Sequence, residues 1–182
     1  MNTRPLRWLT LLLLILLTAC AGTDRKRSMG TVLDDQTAEV RVIDAIYSTE
    51  VIGEESHIKV EVHEGVVLLM GETDTQEKRA LAEQVAGEVP HVDRVVNEVV
   101  VAEAASFGTK LNNSWLSAKV NTALVTENAV EGFDATRIKV ITSDGTVFLM
   151  GKVSREEGDA VAEVARNVRG VDRVVKVFSY ND

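Results

Sequence analysis

The sequence offers few residues from which a covalent framework or a catalytic centre could be built. One residue of 182 is cysteine, Cys20, and a lone Cys closes no internal disulfide. There are three histidines, His57, His63 and His91. On a strand, His57, Lys59, Glu61 and His63 would share an outward face, but residues six apart lie about 20 Å from one another, too far to share one ion. That face reads as solvated. No nucleophile elbow, Walker loop or dinucleotide fingerprint occurs, and Ser143-Asp144-Gly145 is turn chemistry. These absences argue against catalysis, metals and cofactors, so a binding protein is expected. Positive charge is also short: 20 Lys and Arg face 28 Asp and Glu, which argues against nucleic acid as a partner.

An almost pure leucine run, Leu9 to Leu17, follows Arg4 and Arg7. It is too short for a membrane span, which takes about 20 residues, so residues 1–19 read as an export signal. The run ends in Leu17-Thr18-Ala19-Cys20, which resembles the lipobox of bacterial lipoproteins, where the cysteine is acylated and becomes the mature N-terminus. Two or more acyl chains hold a protein on a membrane where one does not. The plainer alternative is a secreted protein with a stray thiol. Residues 20–30, with Arg25, Lys26 and Arg27 and no apolar periodicity, read as a lipidated tether. Ala21 stands where the inner-membrane retention signal usually has Asp, implying the periplasmic face of the outer membrane.

The remainder is a duplication. GVVLLMGE from Gly65 matches GTVFLMGK from Gly145, and VDRVV begins at both Val92 and Val171. A period near 80 residues is that of a domain and not of a solenoid. The units are placed at 31–104 and 113–182, with a linker at 105–112. In each, an amphipathic stripe predicts a helix (Val42, Ala45, Ile46; Leu116, Val120, Ala123, Leu124), with Asp35 and Ser114 as N-caps. Ile58, Val60 and Val62 alternate with polar residues as a half-buried strand. Glu64-Gly65 and Asp144-Gly145 are hairpin turns. Return strands run from Val66 and Thr146 to Gly71 and Gly151, glycines expected where a side chain would be forbidden. A second helix follows, with Ala80, Leu81, Gln84 and Val85 in one copy and Ala160, Val161, Val164 and Ala165 in the other. Val92–Val101 and Val171–Phe178 close the units. The fold class is α+β: two tandem α-β-β-α-β units, each a three-stranded mixed sheet packed against two helices.

That order, with its paired LMG strands and VDRVV third strand, resembles the BON domain, a bacterial module associated with phospholipid surfaces. Two such units behind a lipobox resemble the dual-BON outer-membrane lipoproteins of the DolP type, with periplasmic OsmY proteins as more distant relatives. The resemblance implies a non-enzymatic protein that binds anionic phospholipid such as phosphatidylglycerol or cardiolipin. It also implies support of outer-membrane integrity, enrichment at division sites, and contact with an outer-membrane assembly protein.

Charge separates the copies. Residues 31–106 carry 17 acidic and 5 basic side chains, whereas 107–182 carry 10 of each. The second unit is therefore the one that can approach an anionic membrane without broad repulsion. Its first helix holds Lys119 and no acid before Glu127, whereas the first copy has Asp35, Glu39 and Asp44 at the corresponding helix. Trp115 aligns with Thr37 and stands one residue before the core stripe, about 100° around the helix from Leu116, on a side with Lys119 and Thr122. An indole beside an ammonium suits the headgroup zone. Two placements remain open: the ring faces lipid, or it packs at the domain edge or between the domains. The candidate lipid-binding set is Ser114, Trp115, Leu116, Lys119 and Thr122, with Leu116 and Val120 also serving the core. The resemblance implies the same surface, the first helix of the second unit. The rival function is a periplasmic adaptor or chaperone whose acidic first unit binds envelope-assembly machinery.

Overall fold

The computed structural model describes residues 28–53, 56–102, 114–127 and 132–181. The signal segment, Cys20, most of the tether and the linker lie outside the described residues. The first unit comprises α1 (Met29–Tyr47), β1 (His57–His63), β2 (Val66–Thr73), α2 (Gln76–Gly87) and β3 (Arg94–Val101). The second comprises α3 (Ser114–Thr126), a 3-10 turn (Ala135–Arg137), β4 (Lys139–Ser143), β5 (Thr146–Val153), α4 (Arg155–Arg166) and β6 (Arg173–Tyr180). In each sheet the long central strand pairs antiparallel with its hairpin partner and parallel with the third strand.

Both hairpins turn on two residues of positive φ, Glu64 and Gly65 at 53° and 71°, Asp144 and Gly145 at 45° and 72°. The repeated VDRVV motif braces them. Asp93 N–H donates to Gly65 O at 2.8 Å and Asp172 N–H to Gly145 O at 2.9 Å. Gly71 and Gly151 do not end their strands, which run on to Thr73 and Val153. They sit where a neighbouring backbone crowds in: a Cβ on Gly71 would lie 1.9 Å from His57 O, and one on Gly151 2.6 Å from Arg137 O.

The first helix begins six residues before Asp35, capped by Ser28, whose Oγ accepts from Thr31 N–H at 3.0 Å. Asp35 lies inside α1 and is 5 % exposed. Its carboxylate accepts from Glu64 N–H at 2.8 Å and Gly65 N–H at 3.0 Å, so it caps the hairpin turn and not its own helix. Ser114 is likewise no N-cap but the first helical residue of α3. In α2 the buried stripe is Ala82 and Ala86, with Leu81 and Val85 partly buried, while Ala80 and Gln84 are exposed.

Each sheet uses both faces. Val67 and Leu69 face α1 and α2; Val147 and Leu149 face α3 and α4. The alternate residues, Val66, Leu68 and Met70 of one sheet and Ile141, Phe148, Met150 and Val177 of the other, form a third core between the domains. The molecule is thus layered α/β/β/α. The arginines of the two VDRVV motifs cross this junction in opposite directions: Arg94 Nη2 donates to Phe178 O at 2.9 Å and Arg173 Nη2 to Glu98 Oε2 at 2.8 Å. Lys139 pairs with Glu61 at 2.6 Å. The strand face expected to be solvated is therefore partly covered: Glu61 meets the second domain and His63 is buried.

Candidate functional site

Helix α3 is held by a narrow apolar stripe, Leu116, Val120 and Leu124, on α4, β4 and the 3-10 turn. Leu116 is 1 % exposed. It belongs to the core and leaves the contact set, because a side chain so enclosed reaches no outside ligand without unfolding. Ser117 turns inward too, its Oγ 2.9 Å from Thr142 Oγ1.

The outer face of α3 consists of Ser114, Trp115, Ala118, Asn121, Thr122, Val125 and Thr126, all exposed and none charged. Trp115 is 58 % exposed, away from the junction between domains. Lys119 Nζ stands 4.0 Å from its ring centroid, well within cation–π range, and donates to Arg169 O at 2.6 Å. By the far corner of the ring lies Gly170, at φ 102°, where a Cβ would be 3.6 Å from the indole Cη2. The ring thus has an ammonium near its centre and bare backbone at its corner, and is 58 % exposed. Thr122 and Thr126 return their hydroxyls to Ala118 O and Thr122 O, at 2.8 and 2.9 Å, which removes polar demand from this side. Lys119, Thr122 and Thr126 line an open groove floored by Ala118, Ala123 and Val168, with Glu127 at its far end.

Residues 169 and 170 complete this surface, and nothing in the sequence reading pointed to them. The available signal was the -ArgGly- turn between the second helix and VDRVV, where the first copy has Pro90-His91. The acid contrast between copies also changes meaning. Asp35 caps a turn, and Glu39 Oε2 accepts from Val62 N–H at 3.2 Å on the open edge of β1. Only Asp44, which aligns with Thr122, is an exposed acid of α1 with an uncharged counterpart on the outer face of α3.

Among the described residues no group of three or more His, Cys, Asp or Glu could hold a metal ion. No described helix is long and apolar enough to cross a membrane.

Two layered α-β-β-α-β units, each with a glycine-gated central strand and a braced hairpin, define the class: the BON domain profile matches residues 34–103 and 112–182, and the chain belongs to the BON family. The 21 kDa hemolysin of Actinobacillus pleuropneumoniae is 38 % identical over 154 residues, covering 85 % of this chain and 78 % of that protein. The outer membrane lipoprotein DolP of Haemophilus influenzae is 34 % identical over 156 residues, covering 86 % and 79 %. Within the family the chain is an outer-membrane lipoprotein of the DolP type, held by a lipid anchor.

Proposed function

We propose that the protein is a non-enzymatic factor on the periplasmic side of the outer membrane, whose second BON domain recognises anionic phospholipid, phosphatidylglycerol or cardiolipin, through the outer face of α3. The observation that carries this reading is Trp115: an indole 58 % exposed, with a cation 4.0 Å above its ring, on a helix face free of acid. Such a ring enters the headgroup layer with little rearrangement, and the adjacent ammonium meets phosphate there. Ser114 brings a hydroxyl beside it, and Thr122, whose proton goes to Ala118 O, an acceptor oxygen. The acyl group on Cys20 provides attachment, while this face provides choice of lipid region, including division sites where anionic lipid gathers, and through that choice supports outer-membrane integrity.

The test is flotation of the unlipidated chain, residues 21–182, with vesicles of phosphatidylcholine alone or mixed with phosphatidylglycerol or cardiolipin. Binding should require anionic lipid and weaken with salt. Trp115→Ala removes a side chain worth about 1.5–3 kcal/mol on burial, so binding should fall at least tenfold. Binding indifferent to lipid charge, or surviving Trp115→Ala combined with Lys119→Glu, would reject the reading.

A further inference from the structure

Helix α1 carries a second, exposed stripe, of which only Tyr47 is engaged by the fold, its hydroxyl donating to Ile58 O at 2.8 Å and accepting from Ile58 N–H at 3.2 Å. Met29, Leu33, Val40 and Ile43 are 39–77 % exposed. With Gln36 and Tyr47 they follow a 4-3-4-3-4 spacing, the period of a coiled-coil seam. At 100° per residue the six lie within about 40° of one line, on the side opposite the core stripe Ala38, Val42 and Ile46. The duplicated frame does not require the seam, because α3 has Ser114, Ala118, Asn121 and Val125 where α1 has Gln36, Val40, Ile43 and Tyr47.

We propose that this face is a docking seam for a basic amphipathic helix of a partner protein. Charge decides among the occupants. Asp44 and Glu39 stand about 60° and 80° to either side of the line, with Asp34 and Arg41 further round the helix, in a unit with 17 acidic and 5 basic residues. A second copy would bring the same acids against themselves. A bilayer met by α3 lies on the opposite outer layer of the α/β/β/α stack, a point that rests on the lipid reading of α3, and the acidic unit disfavours anionic lipid in any case. The chain's own tether, Ala21 to Ser28, has three basic residues but no large apolar side chain to fill the seam. A helix with leucine-like residues in 4-3 spacing flanked by Lys or Arg meets both the apolar line and the acids beside it.

Two synthetic 21-residue helices, with Leu at the seam positions and either Lys or Glu at the flanks, provide the probe. They are titrated by fluorescence anisotropy against the unlipidated chain. The Lys peptide should bind at least tenfold more tightly than the Glu peptide and lose affinity with salt. Leu33→Asp with Val40→Asp should cost it at least tenfold, with an unchanged thermal melt because both sites are exposed. Trp115→Ala should leave peptide binding intact while reducing flotation, which separates failure of this proposal from failure of the lipid reading. Equal binding of the two peptides, or survival of binding in the double variant, overturns the proposal. So does a concentration-dependent dimer that the double variant abolishes, which would assign the seam to a second copy. Loss of vesicle flotation in the double variant would assign it to the bilayer, and also overturns it.

Discussion

Helices α1 and α3 do the same inward work with opposite outward surfaces. Ala38, Val42 and Ile46 align with Leu116, Val120 and Leu124, and all six are buried. Outside that stripe the copies share almost nothing: α1 shows an apolar line edged with acid, and α3 shows Trp115 and Lys119 on a face without acid. Duplication preserved the register that packs a helix on a sheet and left the solvent side free to diverge. The acids that set α1 apart divide as well, since Asp35 and Glu39 bind the β1–β2 hairpin and its edge. Charge counted along a helix overstates what the helix presents to a partner.

The comparison breaks most severely at the shared core. Phe148→Ala opens a cavity at the junction between the sheets, and a buried Phe→Ala change costs about 3–5 kcal/mol; urea unfolding is expected to show one transition for the parent and two for the variant. Next come the paired glycines. Gly71→Ala forces a Cβ to within 1.9 Å of His57 O at a φ of 115°, and should cost about 3 kcal/mol or more. Gly151→Ala, with 2.6 Å to Arg137 O, should cost less by the same assay. Equal effects would show that the two strands have more freedom to shift than their register implies. Asp35→Ala leaves two turn N–H groups without their acceptor and should cost about 1–3 kcal/mol, while Ser117→Ala in the other unit should stay near the lower end of that range.

The smallest effects are electrostatic. Hydrogen bonding to Lys176 lowers the Asp159 carboxyl below its ordinary value, and Lys176 is raised in turn by Asp159. Lys78 does the same to Asp74 in the first domain. A carboxyl depressed in the folded state contributes stability above its unfolded pKa and loses it as pH falls through the folded one. The ammonium raised in the folded state contributes below the ordinary lysine value and loses it as pH rises through the raised one. Lys176→Ala should therefore move the Asp159 titration upward in carbon-detected NMR, and Lys78→Ala should do so for Asp74, with almost no change in melting temperature, as expected for exposed pairs.

The element order, the duplication and both hairpins were legible because each rests on local signals: periodicity, a Gly at positive φ, and repeated words such as VDRVV. What escaped depends on contacts distant in sequence. Asp35 has the chemistry of a helix cap, and only the turn 29 residues later shows which backbone amides it serves. In α2 the alanines weigh alike, so a stripe containing Ala80 looked as good as one through Ala82 and Ala86. The run Val66 to Met70 reads as a strand, yet nothing local says that its two faces meet different layers, which is why the junction and the burial of His63 were missed. Trp115 stands out once the two copies are set side by side. The line Met29-Leu33-Gln36-Val40-Ile43-Tyr47 is as readable in the sequence, but the core stripe Ala38-Val42-Ile46 alone is enough to account for the helix.

The two-faced central strand has a consequence for how the protein is made. The first domain leaves the ribosome with Val66, Leu68 and Met70 facing a layer that does not yet exist. At about 5–20 residues per second, the 80 residues to the matching strand take roughly 4–16 s to appear. Until that strand is in place, the outer face of the first sheet has no partner layer. The two domains therefore depend on one another for solubility as well as for stability.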